Sequence, residues 1–191
     1  MNAKITPQHD CIILDACVVM NLYASGRIDE VLSSITESLA VAVYVMKYEA
    51  LAIYKESKQS TPNAKEAIQL QPLIEKNLLS VADLETHAEK ASFLSFSEHR
   101  LDDGEAATMA IACERNWAVA TDDRLAIRIF NSQYEHLPII STPEIMNHWH
   151  KHGQPESQVL CQALIDIESR ANFLLGRHHP FYEWWQSCKN I

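Results

Sequence analysis

Acidic side chains stand at four places where apolar segments of this chain stop or helices begin: Asp15, Glu49, Glu105 and the adjacent pair Asp122 and Asp123. Brought together, they would form a carboxylate cluster. Hard divalent cations take oxygen ligands and keep several waters, so acids without companion cysteine or histidine suit Mg²⁺ or Mn²⁺ better than zinc. Ions held in this way activate water and stabilise the leaving oxygen of an in-line displacement, which is the chemistry of phosphodiester hydrolysis. The expected activity is a Mg²⁺- or Mn²⁺-dependent phosphodiesterase, RNA being the first substrate to consider. The products would be a 5′-phosphate and a 3′-hydroxyl.

Each acid also has a plainer reading, because carboxylates at helix starts cap free N–H groups and favour the helix dipole. Asp102 and Glu105 have capping-box spacing, with Asp in place of the usual Ser or Thr. Glu49 and Asp123 sit where first-turn acids are ordinary. Asp15 is harder to explain as a cap alone, since Ile12-Ile13-Leu14 runs straight into it. A carboxylate directly after a buried strand must find a donor or a cation to offset its desolvation.

The elements that would position these acids alternate. Residues 11–14 read as a short buried strand and 16–23 as a helix closing near Ser25-Gly26. A second helix is expected over 27–35 and a second strand over 39–45. A helix after Met46 would carry Glu49 in its first turn and Leu51, Ile53 and Tyr54 on an apolar face, fading into a loop over 56–63 that contains Pro62. Surface helices are expected over 64–74 and 85–95, separated by a strand over 78–81. Glu105 opens a strong alanine-rich helix over 106–115. Strands over 118–121 and 138–141 follow, with a helix over 124–130 between them and another entered through Thr142-Pro143-Glu144. Such alternation implies an α/β domain with a parallel sheet, strand ends delivering Asp15 and Asp122-Asp123 to one edge. Beyond Gln154-Pro155 the pattern changes to an amphipathic helix over 157–175 and a short aromatic helix after Pro180. The expected organisation is a nuclease-like domain over 1–153 and a helical extension over 154–191.

In this order and placement the acids resemble those of the PIN-domain nucleases. The residues that carry the resemblance are Ile12-Ile13-Leu14-Asp15-Ala16, Glu49 after the second strand, Gly104-Glu105-Ala106, and Thr121-Asp122-Asp123-Arg124, within about 10–145. The resemblance implies a three-layer fold, a central parallel sheet flanked by helices, and a metal-dependent ribonuclease site. Asp15, Glu105 and Asp123 would bind the principal Mg²⁺ or Mn²⁺, Glu49 would complete the catalytic set, and Asp122 would stand as reserve ligand. Thr121 would support the site, and Arg124 would face substrate. Many such proteins are toxins of toxin–antitoxin pairs and are commonly dimeric, which makes RNA, a protein antitoxin and a second copy of the chain the expected partners. Cys17 departs from the pattern, standing where the family often has a small polar residue that supports the first acid.

Composition bounds these readings. The 191 residues, 47% of them hydrophobic, suffice for one domain with a substantial core. Sixteen Lys and Arg against 25 Asp and Glu give a net charge of −9, so nucleic acid cannot be held by overall charge and any contact must be local. Lys47, Lys55, Lys58, Arg100, Arg124 and Arg128 are candidates, their bland reading being solvated surface. The five cysteines show no C-x-x-C spacing and read as reduced core residues. No apolar run approaches the ~20 residues of a membrane span, and the expected location is the cytoplasm. With four glycines there is no phosphate cradle, P-loop or nucleophile elbow. His148, His150 and His152 invite zinc, but no H-E-x-x-H is formed, and solvated histidines at a helix end are the stronger reading. His178-His179 has no evident partner in the sequence. Phe181, Tyr182, Trp184 and Trp185 are expected to pack rather than stack on bases. The rival to an enzyme is a non-catalytic PIN-like interaction protein whose acids are structural caps; a phosphatase or DNA nuclease using the same acids is a third reading.

Overall fold

Four consecutive apolar residues, Cys11–Leu14, are buried on both faces and form β1, the middle strand of a five-stranded parallel sheet. Continuous burial of this kind requires helices on both sides. The computed structural model describes residues 5–6, 8–50, 52–55 and 64–189. β1 leads into α1 (Ala16–Ala24) and α2 (Ile28–Ser33), then β2 (Ser38–Ala42). A π-helical turn, Val45–Glu49, is followed by an antiparallel hairpin of β3 (Ala52–Tyr54) and β4 (Lys65–Ala67). The chain continues through α3 (Gln71–Glu75), β5 (Ser80–Ala82), α4 (His87–Ser97), α5 (Asp103–Arg115), β6 (Ala118–Ala120), α6 (Arg124–Gln133), β7 (Ile139–Ile140), α7 (Thr142–His152), α8 (Ser157–Arg170) and α9 (Tyr182–Lys189).

The sheet order is β5-β2-β1-β6-β7. The chain moves outward from β1 through β2 to β5, returns to the other side of β1 at β6, and ends on β7. Because parallel crossovers are right-handed, reversing the direction of travel moves the connecting helices to the opposite face. The packing follows: α1 contacts α2, α7 and α8, while α4 packs on α5, which lies against β1, β2 and β6. This is the expected α/β architecture, a central parallel sheet flanked by helices. One core runs through it and takes in Leu160, Leu164 and Ile167 of α8 and Trp185 and Cys188 of α9. Among the described residues no helix is long and apolar enough to cross a membrane.

Three expectations are corrected. The helix after Met46 is a single π turn ending at Ala50, and Ile53 and Tyr54 lie in β3 instead. Val-Ala-rich text before Glu49 and an apolar doublet after it fit either period, and tertiary pairing decided. The expected helix over 64–74 is split into β4 and the short α3, because Lys65, Glu66 and Ala67 pair with β3 and a helix start with Pro72 in its first turn forms only afterwards. The third concerns the helix expected over 157–175, which stops at Arg170, whose guanidinium donates to Ala24 O at 2.9 Å and to Glu66 Oε2 at 3.0 Å. Leu51, Lys58 and the loop expected over 56–63 lie outside the described residues.

Candidate active site

The strand order reverses between β1 and β6. Connections leaving the carboxyl ends of those neighbours diverge, which is where α/β sheets open a crevice for ligands. Asp15 follows β1, and Asp122 and Asp123 follow β6, so topology alone brings these three to one place. The Asp15 N–H donates to Ala120 O at 2.9 Å, fixing it beside the end of β6.

Asp15 is 1% exposed and caps α1. Its Oδ1 accepts from Ala16 N at 2.8 Å, and its Oδ2 accepts from Thr121 Oγ1 at 2.8 Å and from the Cys17 thiol at 3.4 Å. Burial raises its pKa, and these donors only partly offset the effect. The thiol therefore takes the supporting part left open by the departure at Cys17. It also accepts from Asp122 N at 3.3 Å, and burial together with Asp15 and Asp122 pushes its own pKa up, so it stays a neutral donor. Thr121 joins the two sides of the site by accepting from Asp123 N at 3.2 Å.

Asp123 caps α6 through Oδ1 alone, which accepts from Leu125 N at 2.7 Å and Ala126 N at 2.8 Å. Among the described residues its Oδ2 has no partner. Glu49 ends the π-helical turn and reaches the start of α5, where its Oε1 accepts from Gly104 N at 2.7 Å and its Oε2 is buried with no donor among the described residues. A β-carbon at position 104 would stand 1.8 Å from that oxygen, so only glycine admits the carboxylate here. Asp102 and Glu105 form the expected capping box: Glu105 N donates to Asp102 Oδ1 at 2.8 Å and Asp102 N to Glu105 Oε2 at 3.2 Å.

Asp102 is the member that sequence reasoning absorbed into capping and so missed. Glu49 is pushed up to about 7 by burial, then by the Asp102 carboxylate and more weakly by Asp15, with Gly104 N–H opposing. The two carboxyls lie close enough to share a hydrogen bond once one is protonated. Glu105 is likewise pushed up to about 7, by burial, then Asp102, Asp15 and Asp123. Asp15 and Asp102 therefore act on both glutamates, and Asp123 joins the group through Glu105. They are nonetheless turned to local backbone donors, and among the described residues no three or more His, Cys, Asp or Glu side chains are disposed to hold an ion. Mutual repulsion and the caps account for that disposition.

Asp122 points elsewhere. Its Oδ1 accepts from Thr142 N at 3.0 Å, and its Oδ2 accepts from Thr142 Oγ1 and from Asn21 Nδ2 at 3.0 Å, joining α1 to the start of α7. Burial raises its pKa, opposed by those bonds and, less, by the field of His179. Asn21 carried no sequence signal and Thr142 was read only as a helix entry, since their contacts with Asp122 span long stretches of chain. Arg124 is exposed at the first position of α6. The histidines expected to be solvated are not all so: His148 is buried, with Nε2 3.2 Å from Ser34 O, whereas His150 is exposed as expected and accepts from Trp184 Nε1 at 3.1 Å.

A doubly covered parallel sheet with carboxylates collected at its point of strand-order reversal defines the class of α/β protein to which this chain belongs. The chain belongs to the PIN domain family, a nuclease superfamily, whose family model matches residues 11–171 and so takes in α8 as well as the sheet. No curated protein matches the chain.

Proposed function

We propose that this PIN domain is a metal-dependent endoribonuclease whose site is the acid set at the ends of β1 and β6. The supporting observation is the buried Glu49 Oε2, which in the charged form has no donor among the described residues, held over Gly104 and facing Asp102 within the field of Asp15. A buried acceptor left unpaired is costly, and a cation is the partner that several converging carboxylates most readily share. The donors are all oxygens, which fits Mg²⁺ or Mn²⁺. Asp15, Glu105 and Asp123 would hold the ion, with Asp102 and Glu49 at its margin. When bound, the ion supplies Lewis acidity toward the phosphate and lowers the pKa of water. Thr121 and Cys17 keep Asp15 oriented, and Gly104 leaves room for Glu49. Asp122 acts by fixing Thr142 and Asn21, its oxygens being committed there. Membership of the family makes a protein antitoxin and a second copy of the chain the partners to seek.

The rival reading, a non-catalytic domain with structural acids, draws on the caps: Asp15, Asp102 and Asp123 each cap a helix. Asparagine caps as well as aspartate, so Asp15→Asn and Asp123→Asn keep the fold while weakening a cation site. Cleavage of single-stranded RNA in Mn²⁺ by the unaltered protein, falling at least a hundredfold in both variants, is the expected result. Full activity in both would refute the assignment.

A further inference from the structure

Residues 172–189 lie beyond the family match, and the structure brings part of them back to the acid edge. Between α8 and α9 the chain is irregular, but it is secured from α9. The Phe173 ring packs on Trp185 with centroids 5.5 Å apart, Trp185 Nε1 donates to Glu168 Oε1 at 2.8 Å, and Lys189 Nζ donates to the same oxygen at 2.7 Å. A tight turn follows Gly176, with His179 N donating to Gly176 O at 3.0 Å and Tyr182 N to His179 O at 2.9 Å. A side chain built at Gly176 would meet Arg124 Nη2 at 3.6 Å, so this strap lies against the residue that directly follows Asp123. Three residues on, His179 is near enough to act electrostatically on the Asp122 carboxyl. Its Nδ1 accepts from Phe181 N at 3.2 Å, which puts the proton of the neutral ring on Nε2.

Arg124 and Arg177 are exposed, and neither has a hydrogen bond or ion pair among the described residues. Arg27 and Arg115, by contrast, are paired to Glu30 and Glu89 at 2.9 and 2.6 Å. Uncommitted guanidiniums beside a group of acids, in a chain of net charge −9, mark where a polyanion can approach. Guanidinium forks match phosphate geometry and bind it in two-point fashion.

We propose that the C-terminal strap is the phosphate-binding side of this site, with Arg124, Arg177 and His179 receiving backbone phosphates of single-stranded RNA that flank the scissile one. The inference rests on the nuclease reading for its substrate, but its own readout is binding. The probe is a short fluorescent single-stranded RNA titrated in Mg²⁺ against the full chain carrying Asp15→Asn, followed by anisotropy. Arg177→Ala and His179→Gln should each weaken binding by roughly fivefold, and Arg177→Lys should recover most of that loss. Arg124→Ala with Arg177→Ala should flatten the slope of log K against log salt by about 1.4, for two lost contacts to a single strand. Lys151→Ala, at the far end of α7, should change neither. Unaltered affinity and slope in the Arg variants, an equal loss in Lys151→Ala, or no RNA binding at all would overturn the proposal. Strap-dependent binding by a protein whose unaltered form never cleaves RNA would sink the nuclease reading alone, whereas cleavage and binding indifferent to the strap would sink this one alone.

Discussion

Replacing Glu49 by glutamine should make the metal-free protein more stable at alkaline pH while abolishing its proposed activity. In the folded chain Glu49 keeps its proton to about 7, against 4.5 for an ordinary glutamate, through burial and the Asp102 carboxylate. Below about 4.5 folded and unfolded chains both hold the proton, and the group has no net effect. Between about 4.5 and 7 the folded state binds more protons than the unfolded, so stability falls as pH rises and the full loss is reached above about 7. At 1.36 kcal/mol per unit the displacement is worth at most about 3 kcal/mol. Glu49 is only half-buried, so solvent screening reduces this to about 1–2 kcal/mol. Glutamine retains an oxygen for Gly104 N–H and removes the charge. Glu49→Gln should therefore match the unaltered protein at pH 5 and exceed it at pH 8 by about 1–2 kcal/mol, or roughly 2–8 °C in Tm for a domain of this size. Urea and thermal unfolding in EDTA across pH 5–8 would measure it. Saturating Mn²⁺ should restore the unaltered protein's alkaline stability and leave the variant's little changed. A variant less stable than its parent at pH 8, or two parallel pH profiles, would refute the assigned charge balance.

Two further expectations concern neighbours of the same carboxylates. Gly104→Ala would place a methyl on the Glu49 carboxylate and swing that flexible end aside; stability should be kept or rise slightly, the lost Gly104 N–H bond being offset by the helix gain and relief of the buried charge, while Mn²⁺-dependent cleavage falls, and unaltered activity would contradict the packing. Asp122→Ala would leave Asn21 and the Thr142 N–H and hydroxyl without their acceptor, costing about 2–4 kcal/mol in unfolding experiments while calorimetric Mn²⁺ affinity is kept; intact stability with lost metal binding would return Asp122 to the ligands.

The fold was legible where one local pattern had one solution. Ile12-Ile13-Leu14 and Ala118-Val119-Ala120 are short, wholly apolar runs that read as inner strands, the first followed directly by Asp15 and the second by Thr121 and then the Asp122-Asp123 pair. The alanine-rich helix α5 and its capping box were equally plain. What failed was decided at a distance. β3 and β4 exist through pairing with each other, and neither Ala52-Ile53-Tyr54 nor Lys65-Glu66-Ala67 announces a strand alone. Asp102 was visible but had a sufficient local reason to be there, which hid its proximity to Glu49. His179 had no local reason at all, and its neighbour Asp122 lies far away in the chain.

Capping and cation binding are commonly set against each other as explanations of an acid at a helix start, but in this site each makes the other workable. A cap uses one carboxylate oxygen and fixes its direction, as Asp123 does through Oδ1, leaving the second oxygen oriented without further loss of side-chain freedom. Capping alone, however, explains neither a glutamate from another element lodged against a helical glycine, nor two glutamates held near 7 by burial and then by surrounding acids. Helix starts tolerate acids singly at a gain of tenths of a kcal/mol, whereas converging them costs more than that gain unless something positive offsets the repulsion. The helix N-termini of α1, α5 and α6 supply part of this offset, and under the proposed function a divalent cation would supply the remainder. On the proposed reading, Asp123 is a cap whose second oxygen is kept for a ligand, whereas Asp15 is held in place by donors on both of its oxygens.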